Sequence, residues 1–306
     1  MPRRIDPVHF RKCFTSHLCP WIIEPGYGWR MLAQARAMPW SFKAMEDDGD
    51  DDETPEVREN RLMASTMQMV GSVALISIDG PMQKFDSSLG GCNTIRIRQC
   101  IRSAMSNPTV GSILLRADTP GGTVAGTGDL AADVKMADAV KPVIGYAEDM
   151  TCSAGYWTLS QTRKMYANAT ALIGCIGTVM SVEDSSKKAE MDGIKVHVIS
   201  TGEFKGAFTD GTPVTPDQLA YLQALIDGLN SSFLAGVREG RKMDAKQLKA
   251  VSDGRCFLAS EGKSLGLIDG IQSLDETLAW MQTKFPPRGA RRRDQTALAI
   301  EVASAE

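Results

Sequence analysis

From Gly71 to about Met281 the sequence alternates short apolar runs with segments of helical spacing, and this alternation constrains the fold most. Ser72 to Ile78 reads as a strand that Asp79-Gly80-Pro81 stops. Thr94 to Met105 reads as a helix with Ile97, Ile101 and Met105 on one face. Ser112 to Leu115 is the next strand, followed by Asp118-Thr-Pro-Gly-Gly122. Leu130, Val134 and Ala137 mark a helix that ends before Lys141-Pro142. Pro142 to Ala147 reads as a buried strand, and Ser153 to Arg163 as the helix after it. Further strands are expected at Lys164 to Ala167, Gly177 to Val182 and Val196 to Ile199, with a helix at Lys187 to Asp192. A long amphipathic helix runs from Pro216 to about Arg241. Short helices are expected at 245–251, 260–265 and 274–281. Strands joined by helical crossovers predict an α/β fold with a mostly parallel sheet.

The 306 residues, 43% of them hydrophobic, suffice for one large α/β domain or two small ones. A formal charge of −3 gives no general argument for nucleic acid as a partner. No run is long and apolar enough to span a bilayer, and the amino terminus lacks a signal-peptide core, so the chain reads as intracellular, with no membrane partner. Seven scattered cysteines then read as thiols. Residues 1–66 differ from the rest: Trp21, Trp29 and Trp40 concentrate there, ahead of the acidic block Glu46 to Glu53, which reads as a solvated linker. The Trp-rich part has apolar surface to dock on a partner or a sister subunit. The acidic block has no EF-hand spacing, and His9, Cys13, His17 and Cys19 match no zinc pattern, so no metal site is expected. Residues 67–283 are expected to form the domain. Residues 284–306, with Pro286-Pro287 and Arg291 to Arg293, are expected to be a flexible tail.

The chemistry centres on Asp149-Met-Thr-Cys-Ser-Ala-Gly-Tyr-Trp157, where a strand turns into a helix. Ser153 at that junction reads either as a helix cap or as a nucleophile beside unpaired helix amides. A serine nucleophile needs a base. Of three histidines, His9 and His17 lie in the atypical segment and His197 inside an expected strand, so a Ser-His-Asp triad is poorly supplied. Thr151 also stands where the Gly-x-Ser-x-Gly elbow has its first glycine. Lysine replaces histidine in some sites when burial keeps it neutral. Lys205, in the glycine-flanked loop Ser200-Thr-Gly-Glu-Phe-Lys-Gly-Ala207, is the best placed, against the alternative of an exposed loop lysine. Gly121 and Gly122 offer bare amides to a substrate carbonyl, or simply make a tight turn.

Asp118-Thr-Pro-Gly-Gly122, Cys152-Ser-Ala-Gly-Tyr-Trp157, Gly174-Cys-Ile-Gly177, Gly202-Glu-Phe-Lys205, Gly254-Arg-Cys-Phe257 and Leu265-Gly-Leu-Ile-Asp269 follow one another in the order seen in the signal peptide peptidase A family. Over roughly residues 70–282 the chain resembles that family, and most of all its phage branch of capsid-assembly, or prohead, proteases. The resemblance implies a Clp-protease/crotonase-like fold of repeated ββα units. It implies a serine endopeptidase with Ser153 as nucleophile and Lys205 as general base, and an oxyanion hole from Gly121 or Gly122 with the amide of Ala154. It implies no cofactor, and a homo-oligomeric ring whose neighbouring subunits complete the sites. Substrates would be scaffold, portal or capsid proteins inside a procapsid in the host cytoplasm. Cys175 stands where the family has a serine that holds the lysine. Alternatives are a cytosolic signal-peptide or oligopeptide peptidase, an inactive assembly protein, and a crotonase-type acyl-CoA enzyme. Cleavage preference, natural substrate and oligomer number are not fixed by sequence.

Overall fold

The structure, a computed structural model, describes residues 21–23, 54–87 and 90–287. The acidic block and the His9/Cys13/His17/Cys19 group lie outside these residues, as does nearly all of the expected tail.

The strands are β1 (Trp21–Ile23), β2 (Met67–Val70), β3 (Val73–Asp79), β4 (Met82–Gln83), β5 (Cys92–Asn93), β6 (Ser112–Thr119), β7 (Gly121–Thr123), β8 (Val143–Cys152), β9 (Lys164–Ala167), β10 (Leu172–Gly174), β11 (Cys256–Leu258) and β12 (Gly270–Ile271). The helices are α1 (Pro55–Thr66), α2 (Thr94–Ser106), α3 (Thr127–Val140), α4 (Ala154–Leu159), α5 (Ser186–Met191), α6 (Pro216–Arg241), α7 (Ala245–Val251), α8 (Ala259–Ser264) and α9 (Leu274–Lys284).

The main sheet runs β11-β10-β8-β6-β3-β2. Its inner pairs β3/β6, β6/β8 and β8/β10 are parallel, and antiparallel β2 and β11 close its edges. β8 organises the sheet. One of its edges takes β6, and the other takes β9 along Ile144 to Ala147 and then β10 along Met150 to Cys152. A second, small sheet of order β1-β7-β4-β5 is built from the short strands that follow β3 and β6. Strand, short strand and helix thus recur as β3–β4–α2, with β5 just ahead of the helix, and β6–β7–α3, the ββα unit that the family resemblance implies.

The period-2 pattern of the strands divides the core between two faces. Ile76, Ile78, Ile113, Leu115, Ala117, Val143 and Ala147 face a cluster completed by Ile97 and Ile101 of α2 and Leu130 and Val134 of α3. Val73, Leu114, Ile144 and Tyr146 point the other way, against Met281, Leu278 and Trp280 of α9. Each fully buried Ile or Leu contributes about 1.5–3 kcal/mol of transfer free energy.

Three details differ from the sequence reading. The helix after Ser153 ends at Leu159, because Ser160 and Thr162 donate their hydroxyls back to the carbonyls of Trp157 and Leu159, both at 2.7 Å. The strands expected at 177–182 and 196–199 do not form. Val179 makes only an isolated bridge, and Val198 and Ile199 are exposed. Residues 55–66, expected to lie before the domain, form α1, which packs on α2 and β2.

Candidate active site

Ser153 follows Cys152, the last residue of β8, and precedes the first residue of α4. Its backbone has φ 56° and ψ −115°, a region that non-glycine residues avoid and that sharp strand-to-helix turns bearing a nucleophile use. The turn is over-determined by its neighbours. The Ser153 amide donates to Gly174 O at 2.7 Å, and Trp157 N closes the first helical turn on Ser153 O at 2.8 Å. Gly155 lets Thr119 of β6 lie against α4, since a Cβ there would sit 2.3 Å from Thr119 Cγ2. Trp157 stacks on Phe233 of α6 at 5.1 Å between ring centroids, fixing α4 from outside.

The Ser153 side chain does not cap the helix: no backbone amide donates to it. Its Oγ is buried and has no hydrogen-bond partner among the described residues. Buried hydroxyls are normally paired, so a buried, unpaired one on a strained turn marks a place where stability is given up.

The glycine turn lies beside it, with β7 packed against α4. Gly121 has φ 102°, which explains the glycine there. Its amide is already occupied, donating to Thr119 Oγ1 at 3.1 Å. At Gly122 a Cβ would fall 1.8 Å from Met82 O, so β4 and β7 approach too closely for any side chain. Ala154, the first residue of α4, is buried next to Ser153.

Lys205 is not brought to Ser153. It is exposed, and among the described residues its ammonium makes no hydrogen bond or ion pair, so the single chain does not give it the burial a neutral lysine needs. Its neighbour Phe204 packs on Tyr221 of α6 at 5.2 Å between centroids. Tyr221 precedes Phe233, the residue under Trp157, by twelve positions, about 18 Å along a helix at 1.5 Å per residue. The loop that carries Lys205 and the helix that follows Ser153 therefore touch α6 at well-separated points.

Cys175, buried and with φ 52°, belongs instead to a thiol cluster. Cys152 and Cys256 are in register with Gly174 from the two sides, and their sulphurs meet at 3.5 Å over the residue that has no side chain. Hydrogen bonds from Cys152 and then Cys175 hold the Cys256 thiol well below its ordinary range, against the opposing effect of burial. None of the five described cysteines forms a disulfide. The sequence showed these cysteines but not that strand register would collect three of them beside Ser153. Asp118 was also missed. Burial and then repulsion from Asp149 raise its pKa, and it accepts the Met150 amide at 3.1 Å, tying β6 to β8 just before the turn.

Among the described residues no group of His, Cys, Asp or Glu is arranged to hold a metal ion. No helix among them is long and apolar enough to cross a membrane.

Residues 135–285, which include Ser153, Cys175 and Lys205, match the sequence profile of peptidase family S49. Over this span the chain is similar to the S49 peptidases. Capsid assembly protease C of Escherichia phage lambda is 29% identical over 246 residues, covering 79% of this chain and 54% of that protein. Protease 4 of Salmonella typhi is 26% identical over 215 residues, covering 68% of this chain and 34% of that protein. The chain thus spans about half of the first relative and a third of the second. Among solved structures, a membrane-bound stomatin-specific protease overlaps 69% of this chain and 84% of its own, at 14% identity and a TM-score of 0.42.

Proposed function

We propose that this S49-related chain is a serine endopeptidase in which Ser153 is the nucleophile and Lys205 the general base, acting on proteins of an assembling phage capsid. The observation that supports it best is the state of Ser153: a strained, buried residue whose hydroxyl neither caps its helix nor bonds elsewhere. Ser153 Oγ attacks the scissile carbonyl carbon as Lys205 Nζ removes its proton. The amides of Ala154 and Gly122 are the candidate donors to the resulting oxyanion, since the Gly121 amide is engaged. Collapse expels the amine, which takes the proton from Lys205, and water then hydrolyses the acyl-enzyme. The capsid setting rests on the phage lambda relative.

Lys205 enters the site in an assembly. Val198, Ile199, Phe204, Leu219, Tyr221 and Leu225 are exposed apolar residues around its loop and on the nearby face of α6. A second copy covering them would bury Lys205 and take it out of water. A fluorophosphonate probe should label Ser153 in the assembled protein. Lys205→Met should abolish peptide cleavage while leaving the melting temperature within about 2 °C, since it loses no bond seen within the chain. Near-normal cleavage by Lys205→Met would remove Lys205 from the mechanism.

A further inference from the structure

The small sheet contains a strand from far outside the domain. β1, Trp21-Ile-Ile23, lies antiparallel on β7 with Trp21 opposite Thr123, Ile22 opposite Gly122 and Ile23 opposite Gly121. The inner edge of β7 is committed to the fold, where Met82 of β4 pairs with Gly122. The outer edge is the one that β1 takes, and the next strand in the sheet on the inner side is β4. This edge runs along the two glycines next to the Ser153 turn, because β7 packs on α4. A peptide cleaved at Ser153 must present an extended backbone there, and a free sheet edge is the surface that binds such a peptide through its main chain. Trp-Ile-Ile has the aromatic and β-branched composition that suits a strand.

We propose that the outer edge of β7 is the peptide-docking edge and that residues 21–23 occupy it in cis, as an intramolecular competitor that a substrate strand displaces. This rests on the reading of Ser153 as nucleophile. The competitor contributes only three residues of ladder, and so short a strand pairing is weak. A longer extended substrate, pairing beyond Gly121 and Thr123, has more backbone groups to engage. The chain that reaches β1 is also separated from β2 by more than forty residues, so releasing the segment leaves the main sheet intact. An apolar, extended stretch of polypeptide is therefore the preferred partner.

The test uses the full chain, an Ile22→Pro variant, in which the proline ring disfavours a paired strand, and a milder Ile22→Gly variant. Amide exchange at Gly122 and Thr123 should speed up in both. A synthetic peptide of residues 20–26 should protect the same amides when added. It should also bind Ile22→Pro about tenfold more tightly than the unaltered chain, if the segment is docked nine-tenths of the time. The KM for an extended apolar peptide substrate should fall by a similar factor with kcat unchanged. Unaltered exchange at Gly122 and Thr123 overturns the occupancy of the edge. Faster exchange with equal peptide affinity in both proteins overturns the docking role. A tighter peptide complex without fluorophosphonate labelling of Ser153 would leave the docking edge standing and refute the peptidase reading.

Discussion

Replacing Ser153 by alanine separates a structural serine from a catalytic one by the sign of the stability change. A capping serine loses about 1 kcal/mol on conversion to alanine. Ser153 makes no capping bond, and its buried Oγ has no partner. An unpaired buried hydroxyl costs about 1–3 kcal/mol of desolvation, so deleting it should stabilise the fold by about 1 kcal/mol after small packing losses. For a domain of this size that is a rise of about 2–4 °C in melting temperature. Alanine keeps its Cβ and so keeps the strain of φ 56°. Ser153→Gly removes that strain, worth about 1–3 kcal/mol, and gives back about 0.5–1 kcal/mol through the freer unfolded chain. Thermal unfolding followed by circular dichroism at one fixed protein concentration should therefore rank serine lowest, with alanine and glycine above it, and both variants should lack peptide cleavage. An alanine variant that melts 2–4 °C lower and still cleaves would refute the reasoning. One that melts lower and does not cleave would mean that Oγ is hydrogen-bonded in the working assembly.

Gly122→Ala should cost about 3 kcal/mol or more, because its Cβ would collide with Met82 O; a denaturant midpoint within error of the unaltered chain would contradict the close approach of β4 and β7. Burial opposes ionisation of Asp269, but the Met165 amide, Arg241 and Lys164 outweigh it and hold its pKa below the ordinary value. Its contribution is present above the usual carboxylate range and is lost as pH falls through the depressed pKa, so Asp269→Asn should lose about 2 kcal/mol near neutrality and show a shallower acid transition. Cys256 should be the first of the described cysteines to react with iodoacetamide below pH 7, because its thiol is held low while burial pushes Cys92 up to about 12 and Cys100 up to about 11; peptide mapping that finds Cys92 or Cys100 alkylated first would refute this.

Local pattern carried the regular elements. The period-2 runs of β3, β6 and β8 and the 3.6-period faces of α2 and α3 appear where the sequence places them, because each buries its own apolar stripe; α6 also forms where expected, although Leu219 and Leu225 of its stripe stay exposed. The junction at Ser153 was legible for the same reason: strand residues stop and helix residues begin within a few positions. Its strain, and the fate of its hydroxyl, were not legible, because they depend on Gly174, Thr119 and Phe233 holding the turn and its helix from three separate segments. The runs at 177–182 and 196–199 have strand-like composition and still form no strand, since pairing needs a partner edge that composition does not specify. Register decided that Cys152 and Cys256 meet over Gly174, and topology decided that Trp21 to Ile23 lies on β7. Sequence fixes what each stretch prefers to be; which stretches meet is set by the closing of the sheet, and the candidate site is made of such meetings.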